Sequence, residues 1–366
     1  MAQSTHGTAG DFVGAAAPAD DATVQPIWCK RAIAREIWDN LPVWFMYIST
    51  VGLLHFMVAN VPTSEYEKIG HSMASYAATA VFPMFWVLLV YTLRVRDSRR
   101  LTAQWGMRRY LIPTAMAAVL PAIYYWYQLV PGFRHELDLP SLVRLFEYMQ
   151  LTWIALFIVH CAVKQRLAGL AFFFGVGWLY GLVLENGGIM MRYFFEPGYS
   201  FYLWKLPAPF ATMMGWCLAF YACIWMTEFL IERFPTLRGS AVIAALTTTA
   251  IAISWDLQMD PLASLSGVFW KWNDLLPNWF LSVPFVNYVA WFSAFMPFAY
   301  IYHHVVMDDW VTPRERNWRV FKQLPNVVVW AGILFFGIMF VAEMGFDGPA
   351  YRVLDQFLTH VIPYGT

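Results

Sequence analysis

The chain has 366 residues, of which 59% are hydrophobic, 19% aromatic and only 13% charged. Water-soluble domains carry about 25% charged residues, so a soluble fold of this length could not cover its surface with polar groups. Its 24 basic and 24 acidic residues cancel, which leaves no net charge to draw nucleic acid or an anionic polymer as partner. Cys29, Cys161, Cys217 and Cys223 form no C-x-x-C pair and three of them lie in apolar runs. Neither a disulfide framework nor a zinc site is indicated.

In chain order, residues 1 to about 26 are rich in Ala, Gly, Thr and Asp, without a basic start or an apolar run. They read as a disordered tail rather than a signal peptide. Residues 27–366 then read as one transmembrane domain. Apolar stretches near the roughly 20 residues needed to cross a bilayer fall at about 41–60, 71–93, 110–130, 143–163, 167–186, 207–231, 240–260, 283–306 and 327–346. The expectation is an all-α polytopic helical bundle of about nine spans. Pro83, Pro113, Pro121 and Pro297 fall inside spans, which membrane helices tolerate when neighbours satisfy the freed carbonyls. Basic residues alternate between the loops, with 17 on the side of the N-terminus and seven on the other: Lys68, Arg134, Arg144, Arg192, Lys205, Lys271 and Arg352. The positive-inside bias therefore puts the N-terminus in the cytoplasm and the C-terminus outside.

Ionisable residues inside a membrane are costly and usually functional. With this orientation His55, His71, Glu147, Glu185, Asp256, Asp260 and Glu343 fall in the outer half, joined by Asn60, Gln150, Asn186 and Asn287. The inner side offers mainly His160, Glu228, His303 and His304. Helix ends are wetter everywhere, but that does not account for one leaflet being favoured.

The fifth span sets Gly177, Gly181 and Glu185 four residues apart on one helical face, flat enough for close packing and ending in a carboxylate. The seventh sets Ala252, Asp256 and Asp260 on one face by the same spacing, with Pro261 expected to end the helix. Two carboxylates one turn apart repel when both are ionised, so one of them is expected to keep the proton that a general acid requires. Each of these spans is followed by a long aromatic segment holding Tyr193, Tyr199 and Tyr202, or Trp270, Trp272 and Trp279. Together with Trp255 these rings exceed what an interfacial belt needs, and their faces suit cations and flat conjugated chains. The two blocks read as two halves of one site. No H-x-x-H-H box, phosphate-binding loop or dinucleotide fingerprint is present, and no spacing supports haem ligation by His55, His71 or His160.

The stretch "WDLQMDP", followed by "FWKW" and "VPFVNYVAW", resembles the carotenoid biosynthesis membrane family that includes the carotenoid 1,2-hydratases. The matching positions are Asp260-Pro261, Trp270, Trp272, Pro284, Asn287, Tyr288 and Trp291, with a looser block at Glu185, Gly187, Gly198, Tyr199, Tyr202, Pro207 and Trp216. The similarity covers roughly residues 170–305. It implies a cofactor-independent hydratase in a bacterial inner (plasma) membrane, protonating the terminal C=C of an acyclic carotenoid or related polyprenoid. Asp256 or Asp260 would be the acid, with Glu185 and Asn287 holding water. Trp255, Trp270, Trp272, Trp291, Tyr193, Tyr199 and Tyr202 would line the substrate. Other enzymes of the pathway are candidate associates. The same acid chemistry would also serve a polyprenoid cyclase or isomerase, and a carotenoid- or quinone-binding subunit would need none of it.

Overall fold

The computed structural model describes residues 30–60, 73–129, 137–196, 198–274, 276, 278–306 and 313–345. The tail over residues 1–26, His71, Lys68, Arg134 and Arg352 lie outside them, as does the side chain of Glu343. Helices coincide with all nine apolar stretches. A short α1 (Lys30–Asp39) leads into α2 (Leu41–Asn60), α3 (Met73–Thr79) and α4 (Val81–Asp97). After α5 (Arg99–Trp105) come α6 (Leu111–Leu129), α7 (Leu139–Leu170), α8 (Gly177–Met190), α9 (Phe210–Arg233), α10 (Ala241–Ala263), α11 (Phe285–Val306) and α12 (Pro313–Gly345). Among the described residues six segments are long and apolar enough to span a bilayer, namely Ala74–Asp97, Pro140–Gln165, Leu167–Met190, Phe210–Arg233, Ala241–Ala263 and Pro325–Ala342. The chain is an all-α membrane bundle.

The outer surface carries large apolar side chains such as Phe85, Val163, Leu167 and Val341, all exposed. In water such a belt would be a liability, whereas against lipid it is the expected face. The core is built around α9, where Phe220 stacks on Phe298 with ring centroids 3.9 Å apart, and Tyr221 packs against Phe157 and Phe173. At the basic end Lys164 meets Asp39 at 2.8 Å, Arg233 pairs with Asp97, and Arg94 lies 4.5 Å from the Trp225 ring centroid.

Two local features deserve a physical account. Between α7 and α8 the chain passes through a π turn, Ala171–Val176, just after Gly169. A Cβ on Gly169 would lie 2.2 Å from Cβ of Gln165. A straight helix keeps such a pair about 5–6 Å apart, so the axis bends sharply there and only glycine fits. The second is Pro261, which does not end its helix. α10 runs on to Ala263, because proline removes only its own N–H. The next turn closes through Ser264, whose amide and hydroxyl both donate to the Asp260 carbonyl at 3.0 and 2.8 Å.

The aromatic segments after α8 and α10 meet. β1 (Phe194–Phe195) pairs antiparallel with β2 (Lys271–Trp272), Phe194 opposite Trp272. A second ribbon, β3 (Asn278–Phe280) with β4 (Val283–Pro284), turns through Leu281 and Ser282, both at positive φ (44° and 70°). It delivers the chain directly into α11.

Candidate functional site

The glycine face of α8 is pressed against α9. A Cβ on Gly181 would come within 2.2 Å of the Met213 carbonyl oxygen. That approach sets Glu185, one turn further on, opposite Trp216, whose Nε1 donates to Glu185 Oε1 at 2.6 Å. On α10 the carboxyls of Asp256 and Asp260 are both buried. Asn287, in the first turn of α11, donates from Nδ2 to Asp256 Oδ2 at 2.8 Å. Trp270 donates from Nε1 to Asp260 Oδ1 at 2.6 Å. The second oxygen of each aspartate, Asp256 Oδ1 and Asp260 Oδ2, is buried with no hydrogen-bond partner among the described residues. Native interiors leave few such atoms unsatisfied.

These groups surround a cavity of about 630 Å³. Glu185, Asp260 and Asn287 line it, with Tyr193, Trp255, Trp270, Trp272 and Trp291 as aromatic walls. Trp291 stacks flat on Phe295 (5.4 Å, 4°) and tilts against Trp216 at 4.9 Å, so the wall is rigid. Four residues that the sequence points to are placed differently. Trp279 is exposed and does not line the cavity. Asp256 stands behind Asn287, outside the lining. Tyr199 packs into a separate apolar cluster with Val143, Phe146 and Phe269. Tyr202 turns its hydroxyl to the Glu196 carbonyl, 3.2 Å away. The two aromatic blocks do converge on one cavity, with the β1–β2 pairing joining them.

Glu196, Thr212 and Trp216 also face the cavity, and none was singled out as a site residue. Glu196 lies in the irregular segment before α9, where no helical period assigns a face. Its signal in the sequence is a lone carboxylate inside the aromatic run "YFFEPGYSFY". It is buried, and its Oε2 accepts from Thr212 Oγ1 at 3.1 Å. Burial, reinforced by the nearby Glu185 charge, holds its carboxyl well above the usual carboxylate range, against the smaller opposing effect of the Thr212 hydrogen bond. The segment is fastened to α7 by Glu147, which accepts the backbone N–H groups of Ser200 and Phe201 at 3.1 and 2.8 Å.

The arrangement suits proton transfer to an apolar molecule. A carboxyl held by one indole, with its other oxygen unengaged, sits in an aromatic chamber whose faces favour a carbocation. Among the described residues no three His, Cys, Asp or Glu side chains converge as a metal site.

A family model described as "Carotenoid biosynthesis protein" matches residues 145–350. That stretch runs from α7 to beyond the end of α12 and contains every carboxyl that lines or adjoins the cavity. No curated protein and no solved structure matches the chain.

Proposed function

Because the chain belongs to the carotenoid biosynthesis protein family, we propose that this membrane protein hydrates a terminal C=C bond of an acyclic carotenoid or related polyprenoid. In this reading Asp260 gives its proton to the CH carbon of the terminal double bond. The tertiary carbocation that results is held between the faces of Trp270, Trp272 and Trp291. A water positioned by Asn287 and Glu185 adds to the cation and passes a proton to a carboxylate, which restores the acid. The balance is alkene plus water to tertiary alcohol, with no electron transferred.

The observation that carries this reading is Asp260 itself. It lines the cavity, is fixed by Trp270 through one oxygen, and its other oxygen is buried without a hydrogen-bond partner among the described residues. Asp256 is better suited to a positioning role, since it reaches the cavity only through Asn287. General acid–base catalysis contributes roughly 10²–10⁴-fold, and the aromatic walls add stabilisation of the developing positive charge. The test is to express the chain on an acyclic carotenoid background and separate the pigments by chromatography with mass detection. A product heavier by one water, labelled when the cells grow in ¹⁸O-water, is expected. A product of unchanged mass with a ring or a shifted double bond would replace hydration by cyclisation or isomerisation.

The 17-to-7 division of basic residues supports a cytoplasmic N-terminus and a site in the outer leaflet. Reporter fusions within 94–109, 307–326 and 261–282 test this. A cytoplasmic signal from the 261–282 fusion would invert the protein and move the site to the inner leaflet.

A further inference from the structure

Resting on the reading above, we propose that the cavity is a passage with two side windows onto the bilayer, through which a linear polyprenoid threads past the carboxyl site. The first window lies between α2 and α7. These helices meet at a sill where the Phe45 ring packs against Trp153 and Phe157, with centroids 5.1 and 4.9 Å apart. At the outer edge they are joined through an intermediary, since Phe269 stacks on both Phe56 (6.2 Å) and Phe146 (4.1 Å). Between sill and lintel, direct packing of α2 on α7 is sparse among the described residues. Ile48 and Met149 there are both cavity-lining and 45% and 43% exposed.

The second window lies on another side of the bundle, between α8 and α12. Both helices line the cavity, yet α12 leans chiefly on α11 and packs little on α8. The outer end is closed by an apolar cluster that includes Tyr193, Val286 and Met339, and the inner end by contact of α12 with the π turn. In the gap, Val183 and Val328 line the cavity while 49% and 39% exposed. Gly187 and Gly332 also line it, and a Cβ on either would meet nothing within 4 Å.

Both frames are apolar or aromatic, and both open on the lipid-facing flank of the bundle rather than through an aqueous loop. That chemistry admits a greasy chain and rejects a polar one. A cavity of about 630 Å³ is the size that encloses a drug-sized ligand, so an extended polyprenoid must leave part of its length in a window. Two windows let the chain lie straight, with its reactive end beside Asp260.

The test uses the full chain in lipid nanodiscs with Gly52→Phe, one turn beyond Ile48 on α2 and also lining the cavity, Gly332→Phe and the double variant. Binding is read as quenching of tryptophan fluorescence by lycopene, and separately by competition with geraniol, a short chain that the cavity can enclose. Each single plug should weaken lycopene binding roughly tenfold or more, because the added ring fills the window that the long chain must occupy, and leave geraniol binding intact. Sensitivity to one plug alone would mean a blind pocket with a single mouth and overturn the passage, as would lycopene binding untouched by either plug, or lost only in the double variant. Lycopene failing to bind the unaltered protein would overturn it too. If a plug also abolishes geraniol binding, Ile48→Phe and Val183→Phe at the same windows take its place, with the same outcomes. Plug-sensitive binding without any hydrated product would remove the proposed reaction and leave the passage standing.

Discussion

The bundle buries ionisable side chains at both ends of α9, and the two ends handle them differently. At one end Glu185, Glu196 and Asp260 face a cavity, and buried carboxylate oxygens go without hydrogen bonds. At the other, about 18 Å further along the helix at 1.5 Å per residue, Glu228 accepts the Tyr302 hydroxyl at 2.6 Å. The Thr248 hydroxyl there lies 2.9 Å from Thr227 Oγ1 and 3.1 Å from His303 Nε2, and His160 shares a 2.8 Å hydrogen bond with Tyr221. None of these groups faces the cavity, and among the described residues the one buried side-chain atom of theirs without a hydrogen-bond partner is His160 Nε2. Satisfied polar pairs tie helices together, while unsatisfied carboxyls beside an open space are poised to act on something that enters it. Buried charge alone is therefore a weak pointer to chemistry. Buried charge with a free oxygen and a cavity is a stronger one.

The sharpest way to break this contrast is Asp260→Asn. The change is nearly isosteric and removes the transferable proton, so turnover should fall by roughly 10²–10⁴-fold in a protein that unfolds like the parent. Chromatography of products beside a denaturation curve reads both, and full turnover would make the carboxyls at the cavity as structural as Glu228 at the other end. Tyr302→Phe tests the other end. It strips Glu228 of its donor, and leaving a buried acceptor unsatisfied costs about 1–3 kcal/mol. The expected result is a lower unfolding midpoint in detergent with turnover per folded molecule unchanged. A selective loss of turnover would bring the inner network into the mechanism.

The smallest expected effect is at Glu196. Its carboxyl is raised in the fold, chiefly by burial, so the folded state holds the proton more firmly than the unfolded chain, whose glutamates titrate near about 4.3. This contribution to stability is complete below the unfolded value and is lost as pH rises through the folded one. Glu196→Gln keeps an acceptor for Thr212 and removes the titration. It should therefore flatten the decline of the unfolding midpoint towards alkaline pH and change it little under acidic conditions. An unchanged pH profile would mean that Glu196 does not titrate in the fold.

Helical regularity decided what could be read from the sequence. Glu185, Asp256 and Asp260 sit on periodic spans, so spacing alone assigned them to faces, and Gly181 was legible as a packing position for the same reason. Spacing does not give depth. Asp256 and Asp260 share a face, yet the crossing of α10 with α11 puts Asn287 in front of one, while the chain that follows α10 brings Trp270 back beside the other. The loops were less legible still. Tyr199, Tyr202 and Glu196 lie within seven residues of irregular backbone, where Glu147 gathers two amides and turns the tyrosines away. Nothing in a run of aromatic letters says which of them that backbone aims inward. Pro261 misled because a proline's missing donor is a local loss that a following serine can make good.

The β1–β2 pairing carries a consequence for how this protein is made. Its partners, Phe194 and Trp272, are separated by all of α9 and all of α10, so they cannot meet until both of those helices have been threaded into the membrane. Pairings so distant in sequence form late, because the intervening loop must first be closed. While synthesis is under way, Glu185 and Glu196 are in the bilayer before Asp260 and Trp270 have left the ribosome. The Asp260 carboxyl and the cavity it lines come together only after α10 and the segment that follows it are in place. Until then Glu185 can already meet Trp216 on α9, but the wall that Trp270, Trp272 and Trp291 provide is missing.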